Sequence, residues 1–229
     1  MHSGRRSDQM NRLVLAGAGG FGREIFSWAH EATDDGRSWG DIVFIDDNPD
    51  ALGAVAFPAR RIASIADYLP AEADRVVITV GIPQTKRRIS EMLGALGARF
   101  QTLRHPSAIV GATSEIGEGC ILCPGVVVTA NARIGRCVAL NVYSTVGHDA
   151  VVSEYSTLSG HADVTGGAVL EAGVFMGSHA AVAPGVRVGA YALIGAGTVA
   201  FHDVEPGATI VGVPGRNIGV FQGSGRRRA

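Results

Sequence analysis

VGATSEIGEGCILCPGVVVTANARIGRCVALNVYSTV, residues 110–146, decides the fold. Counted in sixes from Val110 to Ile194, fifteen successive positions are Val, Ile, Leu or Met. The residue four places after each is Ser, Cys, Val, Ala or Thr, and glycine follows the aliphatic residue directly in seven of the fifteen. Neither the 3.6-residue period of a helix nor the alternation of a strand gives this spacing. A hexad is one short strand and one corner. The aliphatic and small residues point inward, and the pair between them turns the chain. Three hexads close a triangular coil of 18 residues, and stacked coils form a parallel β-helix. Fifteen hexads predict five coils, a prism about 24 Å tall at a strand spacing of about 4.8 Å. Residues 200–219 (AFHDVEPGATIVGVPGRNIG) lose the period and contain two prolines, and are expected to cap it.

The period also assigns outward positions. In V146-G-H-D-A-V151, Val146 and Ala150 are inward, so His148 and Asp149 occupy a corner and project outward. Gly166 lies one coil above His148, which leaves room beside the imidazole. A solvated turn is one reading of the pair, since Asp is common in turns. The other is proton transfer, for which the near-neutral pKa of histidine is suited. His161 and His179, 18 apart, should stack on a different edge as exposed turn residues. Cys120 is inward and Cys123 is not, so C120-I-L-C123 is not expected to hold zinc.

Residues 12–105 follow a different pattern. RLVLAG (12–17), DIVFIDD (41–47), RVVITVG (75–81) and RFQTLRHP (99–106) read as strands. GREIFSWAHEA (22–32) and PQTKRRISEMLGALG (83–97) read as helices, and SIADYL (64–69) as a short one. This alternation predicts a parallel sheet. G17-A-G-G-F-G22 has the GxGxxG spacing between a strand and a helix, the setting of a phosphate site at a helix N-terminus or of a tight turn alone. Asp46 and Asp47 end the next strand, where a ribose or base is met in a doubly wound sheet. About 95 residues suit a mononucleotide better than a dinucleotide.

Twenty basic and 21 acidic side chains give no global field that would favour nucleic acid or membrane. No apolar run approaches a membrane span, no signal peptide is legible at the start, and three cysteines make no disulfide framework. A cytoplasmic protein is expected. The division expected is an α/β domain over 11–106, a β-helix over 107–205, a capping segment over 206–219 and a disordered tail over 220–229.

The chain resembles the sialic-acid O-acetyltransferase and nucleotide-aminosugar N-acetyltransferase group, left-handed parallel β-helix acyltransferases with a Rossmann-like N-terminal domain. The resemblance spans roughly 12–218 and is carried by L15-A-G-A-G-G-F-G22, F44-I-D-D47, H105-P-S107, N141-V-Y-S-T-V-G-H-D149 and V211-G-V-P-G215. It implies a homotrimer that moves acetyl from acetyl-CoA to a sugar amine or hydroxyl, with no metal. It implies His148 as general base, Asp149 as its orienting partner, and Asn141 as a hydrogen-bond partner of the nucleophile or a support for His148, although Asn141 is equally an asparagine at a coil corner. It implies acetyl-CoA contacts at Thr157, Gly166, Ser178 and Ala196, the last two in a column of small residues with Gly160, and at Arg216, with the thioester lying against the backbone in the room left by Gly166 above His148. Gly19, Gly20, Phe21, Asp46 and Asp47 would hold the nucleotide-linked amino sugar. Some relatives carry His where Thr157 stands, and many carry Asn or Asp where Ile82 stands. The leading expectation is N-acetylation of a nucleotide-linked 4-amino-4,6-dideoxy sugar. O-acetylation of sialic acid and a non-catalytic sugar-binding trimer are the alternatives.

Overall fold

The computed structural model describes residues 12–32, 39–53 and 57–219. The expected start at residue 11 and the tail 220–229 lie outside these residues. The first half is a four-stranded parallel sheet of β1 (Arg12–Ala16), β2 (Asp41–Ile45), β3 (Arg61–Ala63) and β4 (Asp74–Ile78), in the order β3-β2-β1-β4. Leu13, Val14, Leu15, Val43, Phe44, Ile45, Val76 and Val77 are all fully buried, as a sheet covered on both faces requires. Helix α1 (Gly20–Ala29) buries Ile25, Trp28 and Ala29, and α2 (Pro83–Ala95) buries Ile89 and Leu93. Pro83 sits in the first turn, where its missing N–H costs nothing.

Two expectations change here. SIADYL forms a turn at 65–67, not a helix, because Asp47 Oδ1 accepts the N–H groups of Ile65 and Ala66 at 2.9 and 3.3 Å. The segment 99–106 is not a strand of this sheet. Phe100 makes a single bridge to Val76, and Leu103–Arg104 then pairs with Ile121–Leu122 of the solenoid. The hexad pattern hides this rung because Arg104 stands at an aliphatic position; with no coil beneath it, that side chain escapes to solvent.

The second half winds through seventeen two-residue strands, from Leu103–Arg104 to Val199–Ala200, so the prism has between five and six coils. They form three parallel faces. The docking face holds 103–104, 121–122, 139–140, 157–158, 175–176 and 193–194. The second face runs from Ile109–Val110 to Val199–Ala200, and the third from Glu115–Ile116 to Arg187–Val188. The inward aliphatics from Leu122 to Ile194 are at most 4% exposed. The cap adds Thr209–Val211 to the docking face and turns back through Arg216–Asn217.

From Gly119 to Gly197 every corner places its second residue in the left-handed region, including eight non-glycine residues such as Tyr143 (φ 56), Asp149 (φ 59), His161 (φ 60) and His179 (φ 59). The conformation is unfavourable for a bulky L-residue. It is retained because it turns the corner N–H onto a carbonyl one coil below: Asp149 N donates to Ala130 O at 3.0 Å, and Gly167 N to His148 O at 2.8 Å.

The sheet domain meets the solenoid through several polar contacts, among them Arg87 to the Tyr191 hydroxyl at 3.2 Å and Ser90 Oγ with Cys137 Sγ at 3.6 Å. Lys86 of α2, 1% exposed, donates from Nζ to Thr157 Oγ1 at 2.7 Å and to Ser156 O at 3.1 Å. Thr157 Oγ1 in turn donates to Gly81 O at 2.8 Å. On the other side of the sheet, Glu24 of α1 faces Asn141, whose side chain favours the charged carboxylate.

Candidate active site

The loop after β1 divides its glycines between two tasks. Gly17 (φ +119) has Val80 Cγ2 2.8 Å from where a Cβ would stand, and a Cβ on Gly22 would collide with Gly17 O, so both are needed for close packing. Around Gly19 and Gly20 a Cβ would meet nothing within 4 Å, and both residues are exposed. Gly19 caps α1 without a side-chain bond, which leaves first-turn N–H groups facing the open side. Phe21 packs partly against the core. Both aspartates are committed to backbone. Asp46 accepts the N–H of Ala18 at 2.7 Å and of Asn48 at 2.8 Å, and Asp47 holds the turn at 65–67. Asp46 thereby fixes the loop's shape.

One helical turn beyond this loop, Glu24 brings Asn141 and the first corner, between docking and second faces, alongside it. Burial pushes the Glu24 carboxyl above its ordinary range, against the opposing effect of the Asn141 side chain. The second positions of this corner carry Tyr143, His161 and His179. Their rings stack at 5.3 Å (interplanar 16°) and 4.7 Å (5°). The first positions are the column Gly160, Ser178 and Ala196, the latter two exposed.

His148 and Asp149 stand on the next corner, between second and third faces. His148 Nδ1 lies 2.8 Å from Asp149 Oδ2, and the imidazole is 71% exposed. Asn131 Nδ2, one coil below, donates to Asp149 Oδ1 at 3.1 Å. The bonds from His148 and then Asn131 hold the Asp149 carboxyl below its ordinary range. A carboxylate on Nδ1 favours the tautomer with its proton there, leaving Nε2 free to accept one.

Gly166 corrects a sequence expectation. A Cβ there would lie 2.5 Å from His148 Nε2 and 2.7 Å from Cε1, so the imidazole itself leans into the room the missing side chain leaves. The glycine seats the ring. Gly166→Ala is expected to swing the imidazole outward and lower kcat at least about tenfold. Its unfolding free energy should stay within the range of a neutral surface change, about 0.5 kcal/mol. Steady-state kinetics beside a thermal melt check this.

Three expected residues are placed apart from His148. Thr157 is 6% exposed and engaged by Lys86 and Gly81, so it sits in the domain contact, not along an open cleft. Asn141 is on a different edge of the prism. Arg216 is exposed in the cap hairpin. Two features were not legible: Glu24, and a groove of about 400 Å³ between Ile82, Pro83 and Gln84 and the docking-face residues Phe175, Leu193 and Thr209. The groove lies where the chain enters α2 after β4, against the solenoid. The strand end before Pro83 was the available signal. Cys120, Cys123 and Cys137 are buried free thiols. Among the described residues, no three His, Cys, Asp or Glu side chains gather to hold a metal, and no helix is long and apolar enough to cross a membrane.

Fold and site together define the class: a hexapeptide-repeat, left-handed parallel β-helix of the acetyltransferase type, with a small α/β domain on one face. Residues 12–93 match the PglD N-terminal domain family. The chain is 31% identical over 144 residues to GDP-perosamine N-acetyltransferase of Escherichia coli O157:H7; the match spans 61% of this chain and 63% of that relative, a little under two thirds of its length. WeeI from Acinetobacter baumannii AYE is 27% identical with a TM-score of 0.81, over 90% of this chain and 99% of that one. The acetyltransferase domain of PglB from Neisseria gonorrhoeae FA1090, solved with acetyl coenzyme A, is 28% identical with a TM-score of 0.82, over 91% and 100%. The chain is thus similar to GDP-perosamine N-acetyltransferase over part of that relative's length, and its first half to PglD N-terminal domains.

Proposed function

We propose that this protein transfers acetyl from acetyl-CoA to the 4-amino group of a nucleotide-linked 4-amino-4,6-dideoxy sugar, as a cytoplasmic homotrimer. The observation that carries the reading is the His148–Asp149 pair, held on an exposed edge with the imidazole seated on Gly166. The resemblance to an acetyltransferase domain solved with acetyl coenzyme A supports the donor. The amine nitrogen attacks the thioester carbonyl and a C–N bond forms. His148 Nε2 takes the proton the nitrogen sheds. Asp149 stabilises the imidazolium, and the tetrahedral oxyanion accepts from the Gly166 N–H. The C–S bond then breaks, and CoA leaves as the thiol, its sulfur taking the proton that His148 holds.

The nucleotide's phosphates lie against Gly19, Gly20 and Phe21 at the start of α1, with Asp46 and Asp47 beside the base and ribose. That loop adjoins the first corner, whereas His148 is on the second, so one chain cannot complete the site. In the trimer, the first corner of one copy faces the second corner of the next. Asn141 and the column of Gly160, Ser178 and Ala196 then stand opposite a neighbour's His148 and Gly166, and CoA runs between them towards Arg216. Thr157 acts by positioning the domain.

Thiol release against a panel of nucleotide-linked amino sugars, with free sialic acid as the hydroxyl control, tests the activity. No release on any amino sugar would remove the reading. The shared site has its own test. Gly20→Glu sets a carboxylate against the phosphates in open space, and His148→Ala removes the base. Each alone is expected to be inactive. Trimers reassembled from equal amounts should recover about one quarter of wild-type activity, because half of each corner type is intact and pairing is random in a closed ring. Zero recovery would place the whole site in one chain.

A further inference from the structure

The Tyr143–His161–His179 column ends in open space. Its five second positions, Gly125, Tyr143, His161, His179 and Gly197, share one left-handed backbone conformation, φ 56–73. The rings lean towards the coil below: a Cβ on Gly125 would press on the Tyr143 ring at 2.5 Å, whereas a Cβ on Gly197 would meet nothing within 4 Å. The upper faces of Tyr143 and His161 are each covered by the next ring, and the upper face of His179 is bare. The backbone at 197 would accept a ring, since it accepts three in the same column, yet the chain carries glycine there.

We propose that the upper face of His179, beneath Gly197, is the stacking platform for the adenine ring of the acetyl donor. The inference rests on the transferase reading above. A donor lying along Gly160, Ser178 and Ala196 passes the residues that immediately precede this ladder. Residues 148 and 197 are separated by about 2.7 coils, roughly 13 Å along the axis, so thioester and purine lie at opposite ends of the same groove. The acceptor's base belongs to the lower end, because the Gly19–Gly20 loop adjoins Asn141. Stacked imidazoles offer a flat π-surface spaced for one more ring, and such a platform binds a heterocycle without reading its edge.

The test is calorimetry on the full chain with two probes, CoA and 4′-phosphopantetheine, which lacks the adenosine portion. His179→Ala should cut the preference for CoA over phosphopantetheine by roughly tenfold. Gly197→His, whose own ring takes the place of the adenine, should cut it at least as far and melt no lower than wild type. A preference unchanged in both variants, with CoA still bound by wild type, overturns the stacking site alone. Failure of wild type to bind CoA overturns the transferase reading as well. A loss of nucleotide-sugar affinity with the donor preference intact would give the platform to the acceptor's base and also overturn the assignment.

Discussion

His148→Ala is expected to lower kcat by between about 10² and 10⁴, with KM for both substrates changed little, because a positioned general base contributes that much in the transition state. The geometry argues for a purely chemical loss. The imidazole is 71% exposed, touches the fold through Asp149 and Gly166, and fills no cavity, so its removal should leave the unfolding free energy within about 0.5 kcal/mol of wild type. Asp149→Asn should fall between the two enzymes. It keeps an acceptor for the Nδ1 proton but loses the charge that stabilises the imidazolium. Near-normal turnover by His148→Ala would exclude this residue as the base.

The second large effect concerns stability. Burial pushes the Lys86 ammonium down to about 7 from its ordinary 10.5, and Cys137 and Cys120, the titratable groups facing it, oppose the shift only weakly. Between those values the unfolded chain holds a proton that the folded chain has released, so folding stability rises with pH across the interval and is flat below it with respect to this group. At about 1.4 kcal/mol per unit, the rise amounts to a few kcal/mol. Lys86→Met should abolish it. Burial also raises the neighbouring thiols, which titrate in the same direction in both proteins, so the difference between wild type and variant isolates the lysine. Denaturant unfolding at pH 6.5, 8 and 9.5 measures it. Parallel stability curves for the two proteins would show that Nζ is charged throughout, and that Ser156 O and Thr157 Oγ1 meet the full cost of its burial.

The contrast between His148 and Lys86 shows which parts of the molecule its sequence displays. A solenoid repeats one local rule, so a residue's angular position follows from its remainder modulo six and its neighbours from multiples of eighteen. That placed His148 on a corner, Gly166 above it, and His161 beside His179. Side-chain lean is not periodic, and whether the imidazole or a ligand fills the gap at Gly166 was not readable. Docking of one domain on another leaves even less trace. Lys86 resembles its exposed neighbours Arg87 and Arg88 in a basic helical run, and only the approach of Thr157 from 71 residues away buries it. The same approach took Thr157 off the surface. Asp46 and Asp47 were legible as strand-end carboxylates, but their backbone partners at Ala18, Ile65 and Ala66 depend on loop paths that no short-range signal records.

The register of the coils restricts how the chain can change length. Adding eighteen residues between 149 and 160 would move the upper prism one storey while keeping every edge in line. Six residues would rotate everything above by a third of a turn, carrying Ser178, Ala196 and the imidazole pair round to another side of the trimer. Gaps in this part of the protein can therefore preserve activity only in steps of a whole storey, whereas point changes at the corner positions leave the hydrophobic interior untouched.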